Sequence, residues 1–115
     1  GDPQKGRFGG KAQNRGRCLS AQLDNAAAYS RFYKVHLQVS RVDPSTPPLE
    51  GAVIFCLHDT IKPSVQSFAV VDGVARLSLL SFGAFTVGAI ADGGATRLEL
   101  DLSEDTRFPE IFRTS

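Results

Sequence analysis

From Arg17 onward the chain alternates apolar and polar residues with a period of two. Leu19, Ala21 and Leu23 alternate with Cys18, Ser20 and Gln22, and Val35, Leu37 and Val39 with Lys34, His36, Gln38 and Ser40. Leu98, Leu100 and Leu102 alternate with Arg97, Glu99 and Asp101. Each run predicts a half-buried strand with one face toward a core and one toward water. Residues 52–57 (AVIFCL) are apolar on both faces, which predicts a central strand or one partly covered by another segment. Leu37, Phe55, Leu77, Leu79, Phe85, Leu98 and Leu100 are the expected core.

Turn residues punctuate these runs. Asp43-Pro44-Ser45-Thr46-Pro47-Pro48 excludes a strand interior, and Asp72-Gly73 between residues 68–71 and 74–79 is a two-residue hairpin signal. Asp92-Gly93-Gly94 plays the same part between residues 84–91 and 95–102. Helical propensity is confined to residues 25–29, too short a stretch to be stable alone. Seven or so short strands between such turns predict an all-β chain folded as an antiparallel β-sandwich of about seven to eight strands with minimal helix.

At 115 residues the chain is long enough for one domain with its own core, and net charge +1 excludes bulk attraction to a polyanion. The charges are unevenly spread: residues 1–17 carry five bases (Lys5, Arg7, Lys11, Arg15, Arg17) against Asp2, while residues 92–115 carry six acids against three bases. Residues 1–16, with Gly6, Gly9, Gly10 and Gly16, form a basic arm, either flexible or pinned to the domain by Phe8 as an extra edge segment. Residues 17–103 form the sandwich and residues 104–115 a tail. No apolar run of 18 residues or charged-then-apolar leader occurs, so no membrane partner is expected. Cys18 and Cys56 could bridge, but two free thiols in a reducing cytoplasm is the preferred reading. A leading glycine and the absence of methionine point to a piece of a longer protein.

The sequence offers no catalytic constellation. Cys56 and His58 share a strand face but stand about 7 Å apart along it, beyond hydrogen-bond reach. His36 reads as a solvated residue of a polar face, and Asp72 and Asp92 as turn formers rather than calcium ligands. No structural metal and no cofactor is expected. Two loops remain, Leu57-His58-Asp59-Thr60-Ile61-Lys62-Pro63 and Ser81-Phe82-Gly83-Ala84-Phe85. Phe82 puts a ring where turns carry polar residues. It either caps the core or, with a histidine and a hydroxyl, walls a small pocket.

These loops carry a resemblance. Residues 53–61 (VIFCLHDTI) and 81–89 (SFGAFTVGA) resemble the YEATS domain, closest to its prokaryotic branch. That family shows a strand ending in Leu-His-x-Ser/Thr-Phe and, later, Gly-Trp/Tyr-Gly-x-Phe; the likeness runs over residues 29–102. It implies an immunoglobulin-like sandwich that recognises a ligand without catalysis, and in eukaryotic members the ligand is acylated lysine on histones. By position, it makes His58 the loop histidine that shapes the pocket wall and Thr60 the hydroxyl that bonds the acyl-lysine amide. Phe82 becomes the stacking ring, Gly83 leaves backbone groups open to the ligand, and Tyr29 stands on the opposite wall. Three positions depart: Ile61 stands where the family has phenylalanine, Ser81 replaces glycine, and Phe82 replaces tryptophan or tyrosine.

The resulting expectation is a non-enzymatic recognition module of a larger bacterial protein, often linked to signalling or effector domains. It would bind a protein or peptide partner through an acylated lysine or a related small apolar or amide group. The rival reading is an assembly module that self-associates through the N-terminal arm, driven by the charge asymmetry. Nucleic-acid binding ranks third, because five bases without interleaved aromatics give only weak, salt-sensitive affinity.

Overall fold

Alternating side chains leave each strand with one apolar face, and two sheets bury those faces against each other. The computed structural model describes residues 1–25 and 31–115. Eight strands run in chain order: β1 (Gln13–Asn14), β2 (Arg17–Asn25), β3 (Tyr33–Arg41), β4 (Ala52–Cys56), β5 (Val65–Ala69), β6 (Val74–Ser81), β7 (Thr86–Ala91) and β8 (Thr96–Asp101). One antiparallel sheet has the order β1-β2-β3-β6 and the other β5-β4-β7-β8. Leaving aside the two-residue β1, a three-strand sheet faces a four-strand sheet with immunoglobulin-like connections. Single turns of 3-10 helix follow β7 and β8, and a four-residue helix α1 (Glu110–Arg113) closes the chain. The stretch 25–29 expected to be helical lies outside the described residues, save Asn25 at the end of β2.

The core is the one the period predicts. Leu19, Val35, Leu37, Val39, Val53, Phe55, Leu77, Val87, Ala89 and Leu98 are buried, and Leu79 and Leu100 pack against them partly buried. The turn at Asp72-Gly73 forms with both residues at positive φ (52° and 77°), but joins different partners than a hairpin would. Val71 and Val74 make one bridge, after which β5 and β6 part into separate sheets. The correction has a physical cause. β4 offers β5 a full register from Ala52–Ala69 to Cys56–Val65, and β3 offers β6 eight paired residues, so both ladders outweigh one short hairpin.

The N-terminal residues are not a free arm. Phe8 is 5% exposed and lies on Gly88 of β7, where any Cβ would overlap its ring. Arg7 and Arg97 place their guanidinium carbons 5.7 and 5.5 Å from the ring centre. Glu99, on the face of β8 that alternation assigns to water, is 7% exposed. It accepts the backbone N–H of Gly6 (3.0 Å) and of Phe8 (2.8 Å). Asp2 accepts both the backbone N–H and the hydroxyl of Thr86, at 2.9 and 2.6 Å. Further on, Leu19 donates to Ala12 and Glu99 to Lys11, so the segment closes the gap between β2 and β8. The outer face of β7 and β8 is therefore a second, smaller core.

The tail, residues 104–115, also packs on the sandwich. Phe112 is fully buried and Phe108 nearly so, with Phe112 edge-on to Tyr33 at 5.2 Å and to Phe108 at 5.9 Å. Residues 104–115 thus plug one end of the sandwich.

Two of the five N-terminal bases pair with acids late in the chain. Lys5 pairs with Asp101 at 2.8 Å. Buried Arg17 makes a fork with Asp92, Nη2 to Oδ1 at 2.9 Å and Nε to Oδ2 at 3.1 Å, while its Nη1 donates to the Pro47 carbonyl. The guanidinium, aided by the Thr96 hydroxyl and opposed by burial, holds the Asp92 carboxyl below its usual range. Asp92 is a turn former at φ 55° and also the tie between β2 and the β7–β8 hairpin.

Phe8→Ala should destabilise the protein by about 3–5 kcal/mol, the scale of emptying a buried phenylalanine site. Gly88→Ala, which only pushes the ring off its seat, should cost about 1–3 kcal/mol. Urea unfolding checks both, and a cost below about 0.5 kcal/mol for each would show that the segment is not packed in solution.

Candidate functional site

Two strand ends meet at one end of the sandwich. β4 runs out at Cys56, and the next residue, Leu57, is fully buried with both backbone groups engaged. Its N–H donates to Ser64 at 2.7 Å, and its carbonyl accepts the Gln4 side-chain amide at 3.0 Å. The chain then turns, with Ile61 N–H donating to the His58 carbonyl at 2.9 Å. Opposite, β6 ends at Ser81, whose hydroxyl donates to the Gly83 carbonyl at 2.6 Å and so directs the Phe82 ring outward. Ala84 N–H donates to the Phe112 carbonyl, which fixes the loop to the C-terminal plug.

His58, Thr60, Phe82 and Gly83 line one hollow of about 140 Å³, together with Ser81, Ala84, Phe85 and Ser115. Four of the six residues singled out from sequence thus stand around one cavity. Ile61 does not line it. Its side chain turns inward and packs, partly buried, on the hydrophobic core, because the turn at His58–Ile61 aims position 61 away from the opening. Tyr29 lies outside the described residues. Gly83 is glycine for a different reason than expected: a Cβ there would stand 2.7 Å from the Ser115 carbonyl oxygen. The lining also includes Phe85, edge-on to His58 with ring centres 6.3 Å apart. Sequence reasoning placed Phe85 only in the core. Its position two residues after Gly83, in the second motif, was the available signal.

Hydrogen bonds define the histidine's state. The Thr60 backbone N–H donates to His58 Nδ1 at 3.2 Å, so Nδ1 carries a lone pair. The ring proton of the neutral imidazole then sits on Nε2, which donates to the Gly1 carbonyl at 3.0 Å. The Thr60 hydroxyl, 2.9 Å from Nδ1, can only donate to it. Its oxygen lone pairs are left for a donor entering the hollow.

Elsewhere, the polar face of β2, β3 and β6 carries a chain of partners. His36 Nδ1 meets the Ser78 hydroxyl at 2.8 Å and Nε2 meets Asp24 at 3.0 Å. This is the partner set of a nucleophile, base and orienting acid, but the Asp24 side chain is 70% exposed. β3 is paired on both sides, so its amides are committed to the ladders. The trio reads as a cross-strand polar ladder. Among the described residues no three His, Cys, Asp or Glu side chains gather as a metal site, and no helix is long and apolar enough to cross a membrane.

These features define the class first: an immunoglobulin-like sandwich whose loop end bears a small cavity walled by a phenylalanine, a histidine and a hydroxyl. The model of the prokaryotic YEATS domain matches residues 33–103, β3 to the end of β8 with both loops, and the chain belongs to that family. Members of the YEATS family are generally non-catalytic reader modules. Comparison with curated proteins and with solved structures gives no match.

Both cysteines are free thiols. Burial raises the Cys56 thiol above its ordinary value, with Arg7 and Arg97 pulling weakly the other way. A raised value means less thiolate at a given pH, so at pH 8 iodoacetamide should modify Cys56 about ten-fold more slowly than the half-buried Cys18. Equal rates by mass spectrometry would mean the N-terminal cover opens freely.

Proposed function

We propose that the domain is a non-catalytic recognition module that takes the end of an acylated lysine of a peptide partner into the hollow between His58, Thr60 and Phe82. The observation that carries this reading is the Thr60 hydroxyl. Its proton is committed to His58 Nδ1, and its lone pairs serve an amide N–H arriving from the opening. Phe82, 58% exposed, offers a ring face for the planar amide to stack on. Backbone groups around Gly83 border the same space.

Size sets the ligand class. A cavity of about 140 Å³ is well below the range of about 300–1,000 Å³ that holds a whole small molecule, so it suits a side-chain tip. The other phenyl ring of the lining, Phe85, is buried, so the hollow has one exposed phenyl face, that of Phe82, and short saturated acyl chains should bind about as well as conjugated ones. The two unbridged thiols support a reducing, cytoplasmic setting within a larger bacterial protein. Against the rival, self-association through the N-terminal residues, stands the pairing of Lys5 and Arg17 with Asp101 and Asp92 of the same chain.

Calorimetric titration with acetyl-, butyryl- and crotonyl-lysine peptides against their unmodified parent tests the reading. Acylated peptides should bind more tightly, and Phe82→Ala should weaken them by about 1–3 kcal/mol while leaving stability unchanged, because the ring is mostly in solvent. Equal affinity for acylated and unmodified peptides overturns it.

A further inference from the structure

Besides the hollow just described, Phe82 borders a larger one of about 370 Å³, lined by Arg31, Tyr33, Phe82, Ile111 and Ser115, and its ring meets Phe32 edge-on at 6.0 Å. The two share Phe82 and Ser115, so they adjoin. The lining of the larger includes the exposed apolar side chains of Phe82 and Ile111, and Arg31 carries the one charged side chain among its described lining residues. No carboxylate side chain lines it, and Arg31 enters no ion pair or hydrogen bond among the described residues.

From this placement we infer that the domain selects the sequence around the modified lysine, binding peptides with a glutamate or aspartate two residues from it. The inference rests on the acyl-lysine reading and adds a specificity site to it. The spacing follows from extended-chain geometry. Residues two apart point to the same side and stand about 6.7 Å apart, a step that lets both enter adjoining depressions that share Phe82. A residue one removed would point away from the domain. The chemistry follows from the lining. A glutamate lays its methylene groups along Phe82 and Ile111 and brings its carboxylate to the Arg31 guanidinium, which presents paired N–H donors to it. A lysine or arginine at the same place meets Arg31 as a like charge. The groove therefore discriminates by repulsion as well as attraction.

The test is titration calorimetry with butyryl-lysine peptides that carry Glu or Gln at position −2, and in a second pair at +2, each beside its unmodified parent. For wild type, one of the two positions should show about a two- to five-fold preference for Glu over Gln, the scale of a solvent-exposed ion pair. The preference should vanish in Arg31→Gln and in 0.5 M salt, while affinity for the Gln peptide stays as in wild type. If Glu and Gln peptides bind alike at both positions while the acyl group still matters, this inference is overturned alone. If acylated and unmodified peptides bind alike, it falls together with the reading it rests on.

Discussion

The seat of Phe8 on Gly88 is the contact on which the rest of the arrangement depends. A four-strand sheet that packs one face on its partner leaves the other to water, and alternation along β8 predicts as much. Here the outer face of β7 and β8 is covered, because the absence of a side chain at position 88 opens a place for a phenyl ring. Glu99 then anchors the covering backbone through two N–H bonds. Removing apolar surface from water drives the contact, and the charged acceptor fixes its register. A buried carboxylate would be costly alone, and the amides of Gly6 and Phe8 offset that cost.

From that seat the segment reaches the loop end. Gln4 holds the carbonyl of Leu57, one residue before His58, and the Gly1 carbonyl accepts from His58 Nε2. The histidine's orientation, and through it the direction of the Thr60 hydroxyl, is thus set by residues far away in sequence. On the other side, Phe112 and Ser115 support the loop that carries Phe82. The matched family span, residues 33–103, supplies both site loops; the flanking residues hold them in place.

The fold was readable because its signal is local. Period-two alternation survives in β2 and β3 and breaks in β8 only where Glu99 is covered, and the Asp72-Gly73 and Asp92-Gly93 pairs mark turns of positive φ. Strand partnership is not local. The Asp72-Gly73 turn forms as its residues require, yet β5 and β6 join different sheets, a choice made by the ladders on β4 and β3. The covering segment was half legible: Phe8 alone among glycines raised the question, but its seat depends on a glycine eighty residues later. His58, Thr60, Phe82 and Gly83 were found through motif likeness and do converge. Ile61 packs on the core beyond the turn at His58 rather than lining the hollow, a side-chain direction that spacing cannot show.

Amide hydrogen exchange on wild type and Phe8→Ala tests most directly whether the N-terminal segment fixes the loop that carries His58. The account predicts that residues 57–61, including the Leu57 and Ile61 amides, lose at least about ten-fold in protection beyond the change at β3. β3 is central in the opposite sheet and reports global opening. Unchanged exchange over residues 57–61, with the N-terminal amides released, would contradict it.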